Sequence, residues 1–513
     1  LMTEAAARVK RRSSNKRGRT IPQLPWRQPK NHFPLVELLT HEEVLKTHDN
    51  ALRVLEEIGI RFQADEAVEI FASAGCIIGE DDMTVRIGRE IVNQALKSVK
   101  SKVTLYPRNR ERAVTIGGNH IAFASVLGPP YCSDLENGRR QGTLDDYCNF
   151  VRLGQYFNII HMISGAPVEP MDIPLEFRHL NSTLKVLELS DKVPFVFCQG
   201  RQRIHDALDM IAMAKGIDRS GLVDEPSTFT IINSNSPLQY DKPMANGLIE
   251  MAKHNQLSMI TPFSLAGASH PISLGAANSL AVAEMLAALT LTQLVRPGAP
   301  VASAAYTMNV NMQTGSPGFG SPETNKSLQI GSQMARFYGL PIRSSTFTSS
   351  PAPDAQAIYE SLGMLWASIT SGSNLIMHAA GWLEGGLRSS FEKFILDIEM
   401  LQMMAKYLEP VEVNDTTLAF EEIKSVGHGG HFFDTENTIK NYSTAFYEPI
   451  IATAKNFGQW EEEGSLDATQ RANILYKKAL NSYEEPYLET STKEALKAFV
   501  IKREEQGGAP IDL

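Results

Sequence analysis

Short apolar runs alternate with longer stretches of helical hydrophobic periodicity between residues 118 and 410. The runs are rich in β-branched and aromatic residues, as buried strands are, and each is followed by a loop and by apolar residues at helical spacing. Eight such runs occupy residues 120–125, 159–165, 194–199, 228–235, 257–263, 300–306, 341–347 and 374–380. Because strands that alternate with helices form parallel sheets, the eight units predict an α/β chain with a (β/α)8 TIM barrel.

Two local features agree with this prediction. Thr143, Asp241 and Ser321 are candidate N-caps, since acidic or proline-containing first turns follow them directly. The segment after the first run, residues 126–134, lacks the glycine-rich phosphate loop that is typical of an open doubly wound sheet. A closed barrel is therefore favoured over an open sheet.

The segments that flank the barrel are predicted to be helical. Upstream, residues 40–59, 65–74 and 88–98 have amphipathic patterns. Downstream, charged helices are predicted at residues 415–430, 437–455, 467–482 and 492–504. The predicted organisation is a basic arm and N-terminal helical cap at 1–117, the barrel at 118–410, and a C-terminal helical extension packed on the barrel at 411–513.

Composition narrows the class of protein. The 513 residues carry a net charge of −9, which argues against a nucleic-acid partner. The first 20 residues hold seven Lys or Arg and one acid, Glu4, and we expect this arm either to contact a neighbouring subunit or to be solvated. No uncharged apolar run approaches the roughly 20 residues of a membrane span, and polar residues follow the basic ones where a signal peptide would be apolar. A soluble cytoplasmic protein is expected.

Two kinds of catalytic site are not supported by the sequence. The four cysteines have no Cys-x-x-Cys spacing, and His378 and His270 lack obvious companion ligands, so no metal site is predicted. His428 and His431 could coordinate a metal, but they follow the barrel and are interpreted as a turn packed beneath a helix. No Gly-x-Ser-x-Gly sequence occurs in a strand-to-helix context, which leaves triad hydrolysis without support.

Candidate chemistry lies where the predicted strands end, because the active sites of such barrels are built at the C-terminal ends of the strands. His378, close to the end of the eighth run, is the candidate catalytic residue, although a core histidine bonded to a carbonyl is an equal alternative. Aromatic rings at this end could enclose a quaternary ammonium ion, or could merely pack the loops. Arg343 begins its strand and is expected to lie too deep. The candidate substrate-binding residues are Tyr131, Gln199, Asn233, Tyr306, Phe347 and Trp382.

Several motifs resemble those of one family. They are Pro353-Asp-Ala-Gln-Ala-Ile-Tyr-Glu360, Leu375-Ile-Met-His-Ala-Ala-Gly-Trp-Leu-Glu-Gly-Gly-Leu387, Phe391-Glu-Lys-Phe394, Gly315-Ser-Pro-Gly-Phe-Gly-Ser-Pro-Glu323 and Gly427-His-Gly-Gly-His-Phe432. With these motifs the chain resembles the trimethylamine methyltransferase family from about the first barrel strand onward. Members of this family have a barrel fold and methylate a corrinoid protein.

The resemblance carries several implications for function. Archaeal members contain pyrrolysine, expected here in or near residues 344–353, where this chain has only ordinary residues. Pyrrolysine-free bacterial relatives imply a quaternary amine, most simply glycine betaine, demethylated to dimethylglycine. The corrinoid is expected to come with a partner protein and not to be tightly bound, and a homo-oligomer is expected. Trimethylamine, carnitine or proline betaine as substrate, or a non-catalytic betaine-binding protein, are the alternatives.

Overall fold

Eight strand segments pair in parallel in a closed cycle within residues 21–510, the part of the chain that the computed structural model describes. Each predicted run contains or overlaps one of them. The first, second, third and sixth pairings are single bridges, and Leu375–Met377 returns to pair with Ala122–Phe123. The four bridges are Ala124 with Met162, Met162 with Val193, Phe195 with Phe229, and Ser303 with Ile342. We call this cycle the strand ring. In chain order it comprises Ala122–Phe123, Met162, residues 193–195, Phe229–Ile232, Leu257–Ile260, Val301–Ser303, Arg343–Ser345 and Leu375–Met377.

Alternation along the strands separates the inside of the strand ring from its outside. Phe229 and Ile231 pack with Met259 and other ring residues in one apolar cluster, whereas Ile232 and Ile260 belong to the larger cluster shared with the helices. This is the period-two pattern of a strand buried on both faces. Trp26 packs against the inner cluster and belongs to the segment that precedes the first helix.

A helix of 12 residues or more follows each strand segment within the described residues. Thr143, Asp241 and Ser321 each accept a hydrogen bond from a first-turn backbone amide, so the predicted N-caps are confirmed. Asp354 caps the helix Ala355–Thr370 in the same way. The helices are Leu144–Tyr156, Leu175–Leu189, Arg201–Lys215, Lys242–Lys253, Leu274–Val295, Pro322–Phe337, Ala355–Thr370 and Phe391–Tyr407. A short helix, Gly221–Asp224, precedes the fourth strand segment.

The helix Leu274–Val295 is long and apolar enough to cross a membrane by length and composition, although 78% of its most apolar window is buried in the protein. It packs against His41–Arg53, Lys242–Lys253 and Arg89–Leu96. These neighbours make it a core helix of the fold.

The N-terminal region contains strands as well as the three predicted helices, so the description of it as purely helical was wrong. The helices are His41–Arg53, which continues as a π-helix through Ile58, Asp65–Ser73 and Arg89–Leu96. Runs of two to four residues give little or no strand periodicity in the sequence. The missed strands are Ile60–Phe62, Ile77–Ile78 and Thr84–Arg86, which form one sheet with Gln239–Tyr240, and the pair Lys102–Leu105 and Val114–Gly117.

The C-terminal region divides into an exposed part and a packed part. The predicted helix at 437–455 was wrong, because only Glu436–Asn441 is helical and Phe446 beyond it is 86% exposed. Most helical stability comes from packing an apolar face, which this segment lacks. The exposed part has the short helices Phe420–Val426, Glu436–Asn441 and Phe457–Glu462, whereas the packed helices Ala468–Asn481 and Thr490–Glu505 lie on the helices around the strand ring. The basic arm, residues 1–20, lies outside the described residues.

The loops at the C-terminal ends of the strand ring carry further short strands. Arg388–Ser390 pairs with both Trp382–Leu383 and Tyr131–Asp134, and Tyr131–Asp134 forms a hairpin with Gly138–Gln141. Ser264–Ala266 pairs with Thr307–Asn309. These pairings fix the loops that surround the opening of the ring.

Candidate functional site

A cavity of about 290 Å³ opens at the C-terminal ends of the strand ring. Its walls come from the last residues of the strands and from the loops that follow them, which is where barrels and parallel sheets bind their ligands. Six of the seven residues predicted from the sequence line it: Gln199, Asn233, Tyr306, Phe347, His378 and Trp382.

Aromatic rings form one wall of the cavity. The ring centroid of Phe347 lies 4.7 Å from that of Trp382 and 4.8 Å from that of Phe319. The indole nitrogen of Trp382 donates to the carbonyl oxygen of Thr348 at 3.1 Å, which fixes the ring. Phe319 was missed in the sequence analysis, although it belongs to one of the family-like motifs. Ring faces that surround a space of this size can attract an organic cation.

His378 lies beside the aromatic wall, in a constrained position. Its φ of 54° is in the left-handed region, which residues other than glycine rarely adopt and which is found at functional sites. The hydroxyl of Ser345 lies 3.1 Å from its Nδ1 atom, and its ring centroid is 4.6 Å from that of Trp382. Burial, and then the charge of Arg343, hold the pKa of His378 well below its usual range, so the ring is neutral.

Arg343 also lines the cavity, which corrects the expectation that it lies too deep to take part. The residue does begin the strand Arg343–Ser345, but its long side chain reaches toward the opening. Its Nη1 atom is 3.3 Å from the hydroxyl of Tyr306, and its Nη2 atom is 3.5 Å from Nδ1 of His378. Burial lowers the pKa of the guanidinium, and Tyr306 raises it.

The opposite part of the wall holds polar groups from the second to fourth strand segments. Gln199 has a buried amide oxygen with no hydrogen-bond partner among the described residues, and Asn233 is exposed at the edge of the cavity. Glu169, on the loop after Met162, also lines the cavity and lies 3.5 Å from Arg178. Burial raises the pKa of Glu169, and Arg178 lowers it. Glu169 was missed in the sequence analysis, because the residue lies within a long loop whose path cannot be predicted from local sequence.

Tyr131 is the predicted residue that does not line the cavity. It lies in the hairpin formed with Gly138–Gln141, and the guanidinium carbon of Arg139 is 3.6 Å from its ring centroid. The structure therefore places this aromatic ring against a cation of the chain itself.

One group of side chains in the described residues has the composition of a metal site, and it is remote from the cavity. The ligand atoms of His205, Glu250 and His254 lie within 4.8 Å of one another. The guanidinium of Arg219 contacts Nδ1 of His205 and lies 3.4 Å from Nε2 of His254, so a cation already occupies this position. His428 begins a turn, as predicted, but His428 and His431 are exposed, so the prediction that this turn packs beneath a helix was wrong.

The fold and the cavity define an α/β protein with an aromatic-lined site for a small molecule. The model of the family "Trimethylamine methyltransferase (MTTB)" matches residues 5–508, and the chain belongs to this family. The protein is accordingly a methyltransferase.

Two curated relatives and one solved structure illustrate its similarities. The chain is 35% identical over 477 residues to the glycine betaine methyltransferase of Desulfitobacterium hafniense (strain Y51), with 93% of this chain and 99% of the relative covered. It is 28% identical over 478 residues to the trimethylamine methyltransferase MttB of D. hafniense (strain DSM 10664 / DCB-2), with 91% and 94% covered. The crystal structure of the Methanosarcina barkeri monomethylamine methyltransferase matches with a TM-score of 0.46 and 11% identity, over 87% of this chain and 94% of that one.

Proposed function

We propose that this protein transfers a methyl group from glycine betaine to the cobalt(I) ion of a corrinoid, which leaves dimethylglycine. The observation that carries the proposal is the cavity, in which Phe319, Phe347 and Trp382 present a wall of rings beside polar groups. The 35% identity to a glycine betaine methyltransferase over nearly its whole length supports the choice of substrate.

The chemistry asks little of the protein beyond binding and orientation. When the corrinoid is bound, its cobalt(I) supplies the nucleophile for a methyl carbon. The C–N bond breaks and its electron pair stays on nitrogen, so a quaternary ammonium leaves as a neutral tertiary amine and no proton moves. The aromatic wall binds the cationic nitrogen and excludes water, while His378 and its neighbours hold the other end of the substrate.

We also propose that a separate protein brings the corrinoid to the opening. A cavity of about 290 Å³ suits a small amine and is too small for a corrinoid ring. Exposed apolar side chains on the loops around the opening would suit a docking partner. They are Leu135, Met171, Phe263, Ile272, Met312 and Leu387.

The larger organisation is proposed on similar grounds. The closed cycle of parallel pairings supports a (β/α)8 barrel at residues 118–410, between the N-terminal region at 1–117 and the C-terminal extension at 411–513. Large exposed apolar side chains in the extension, such as Phe433 and Phe446, support a homo-oligomeric contact. A cytoplasmic location agrees with the burial of the one membrane-length helix found in the described residues.

The test is an anaerobic assay with reduced free cobalamin in place of the partner protein. Purified protein is mixed with glycine betaine, trimethylamine or carnitine, and loss of the cobalt(I) absorbance is followed. The proposal expects protein-dependent loss with glycine betaine, and much less with the other two donors. Protein-free mixtures and protein without donor are the controls.

Other outcomes would contradict specific parts of the proposal. Transfer from carnitine or trimethylamine in preference to glycine betaine would keep the reaction and change the substrate. Binding of glycine betaine by calorimetry without transfer, either to free cobalamin or to a corrinoid protein, would favour a non-catalytic betaine-binding protein.

A further inference from the structure

Arg343 is a buried cation whose hydrogen-bonding capacity is largely unused. Its side chain is 3% exposed, and no Asp or Glu oxygen among the described residues lies within 4.0 Å of it. A guanidinium has five N–H donors and remains protonated in proteins. Within residues 21–510, only Tyr306 and His378 contact these donors, at 3.3 and 3.5 Å, and the Nε atom has no hydrogen-bond partner. Burying a charge whose donors lack acceptors costs free energy, unless a bound ligand supplies the missing acceptors.

A buried ion pair near the same end of the fold shows the usual arrangement. Lys393, 1% exposed, lies 2.5 Å from the carboxylate of Asp397, which also accepts a hydrogen bond from the Gly381 amide at 2.8 Å. That pair is complete and supports the loop that carries Trp382. Arg343 differs in having no anion and in lining the cavity.

His378 offers a second donor near this guanidinium. An arginine can only donate, so the contact of Nη2 with Nδ1 requires that Nδ1 is unprotonated and accepts. The Ser345 hydroxyl can donate to the same atom. In a neutral ring the proton then lies on Nε2, which has no hydrogen-bond partner among residues 21–510.

The cavity also carries opposite charges that do not neutralise each other. Among the described residues that line it, Arg343 is the one cation and Glu169 the one acid, and they do not form an ion pair. Arg343 belongs to the strand ring, whereas Glu169 and Trp382 lie on loops beyond it. A small zwitterion could place its anion at the deep side and its cation toward the opening.

We propose that Arg343, with Nε2 of His378 as a second donor, binds the carboxylate of an N-methylated zwitterion and thereby turns its N-methyl groups toward the opening. The inference rests on the proposed function and names the substrate class, since amines without a carboxylate would leave the guanidinium unpaired. Arg343 is then the residue that sets specificity, and it takes no part in breaking the C–N bond.

The first experiment uses the unaltered protein, so that folding of a variant does not enter. Binding of glycine betaine is compared with binding of its carboxamide, which keeps the quaternary ammonium and the shape but loses the negative charge. We expect the carboxamide to bind at least about 100-fold more weakly, because one partner of a buried charged pair is removed. Affinities within threefold of each other would overturn the inference.

The second experiment replaces the cation. Arg343→Met should raise KM for glycine betaine by roughly 100-fold with a smaller change in kcat, and Arg343→Lys should recover part of the loss. Arg336→Met is the matched control, because Arg336 contacts Glu37 and the Ser371 carbonyl away from the cavity. An unchanged KM in folded Arg343→Met protein would refute the proposal that Arg343 binds the substrate carboxylate, which we call the carboxylate anchor.

The two proposals fail in different ways. If the unaltered protein binds glycine betaine in preference to the carboxamide but transfers no methyl group, the proposed reaction is wrong and the carboxylate anchor stands. If it transfers methyl groups equally well from glycine betaine and from the carboxamide, the reaction stands and the anchor is wrong. Failure to bind either compound refutes both.

Discussion

Two buried cations, Lys192 and Arg343, lie at the starts of strand segments and differ in what surrounds them. Lys192 and Arg343 are each 3% exposed. Lys192, just before the third strand segment, donates to three backbone carbonyl oxygens, those of Gly154, Phe157 and Ile160, at 2.6 to 2.8 Å. Arg343 has two long contacts within the described part of the chain, where its Nε atom has no hydrogen-bond partner. Equally buried cations can therefore have different roles. A cation whose N–H donors all have acceptors in the protein stabilises the fold, whereas one with unused donors beside a cavity indicates a ligand-binding residue.

The largest expected effect is on stability, from Lys192→Met. The substitution leaves three buried carbonyl oxygens without their donor, and we expect the free energy of unfolding to fall by about 3 kcal/mol. Urea unfolding measures this loss, while KM for glycine betaine in the folded protein should stay unchanged. Lys46→Met, at a side chain that is 72% exposed, is the control and should change stability by less than about 0.5 kcal/mol. A stable Lys192→Met protein with a raised KM would reverse the assigned roles.

The next effect is a pH dependence that arises near Lys192. The Nδ1 atom of His161 accepts from the Phe123 amide at 3.0 Å, and its Nε2 donates to the Arg27 carbonyl at 2.9 Å. Burial lowers the pKa of His161 from 6.5 to about 3. Between pH 6.5 and pH 3 the unfolded chain therefore binds a proton at His161 that the folded chain does not bind. The stability contributed by the neutral ring is full above pH 6.5 and is lost as the pH falls toward 3. At pH 5 the loss should be about 2 kcal/mol.

Urea unfolding at pH 7 and pH 5 measures this loss, with His161→Gln for comparison. The glutamine does not titrate, so the change in unfolding free energy between the two pH values should be about 2 kcal/mol smaller in the variant. Comparing the change in unfolding free energy between the two pH values, rather than the free energy at one pH, removes the stability cost of the substitution itself. An equal change in the two proteins would mean that His161 is not the group that titrates.

The elements of the fold could be predicted where each residue's environment follows from its neighbours in the chain. Runs such as residues 228–235 and 257–263 are apolar because both faces of the strand are buried, and each contains the observed strand. The exposed C-terminal segment was predicted less well, because whether residues 437–455 form a helix depends on a packing surface that the sequence does not reveal.

The candidate site could be predicted only in part, for a related reason. His378 directly follows the strand Leu375–Met377, and Phe347 and Trp382 lie within five residues of the end of a ring strand, so a rule about position finds them. Arg343 was dismissed by the same rule, which follows the backbone and ignores the reach of a long side chain. Phe319 and Glu169 come from loops whose path is set by tertiary contacts. The hydrogen-bond partners of Lys192 and Arg343 also come from segments distant in the chain, so the sequence does not reveal them.

A smaller effect is expected from the aromatic wall of the cavity. Trp382→Leu removes one ring face from the cationic nitrogen and should raise KM for glycine betaine by about tenfold. Because the ring is buried and its indole nitrogen donates to the Thr348 carbonyl, the substitution also lowers the free energy of unfolding, so KM is measured on protein that is shown to be folded. Steady-state kinetics with free cobalamin measure it. Trp366→Leu is the matched control, since Trp366 packs against Tyr407 outside the cavity at a centroid distance of 5.3 Å. Equal effects of the two substitutions would mean that the wall does not recognise the cation.

The smallest effect is predicted for substitution of Tyr131. This residue was selected from the sequence because it follows a predicted strand, but it does not line the cavity. One face of its ring lies against the guanidinium of Arg139. Tyr131→Leu should change kcat/KM for glycine betaine by no more than about twofold, because the stacking it removes is worth only about 0.5 to 1 kcal/mol at an exposed site. If this substitution raised KM as much as Trp382→Leu does, the hairpin would have to close over the bound substrate, and the cavity would be incomplete without it.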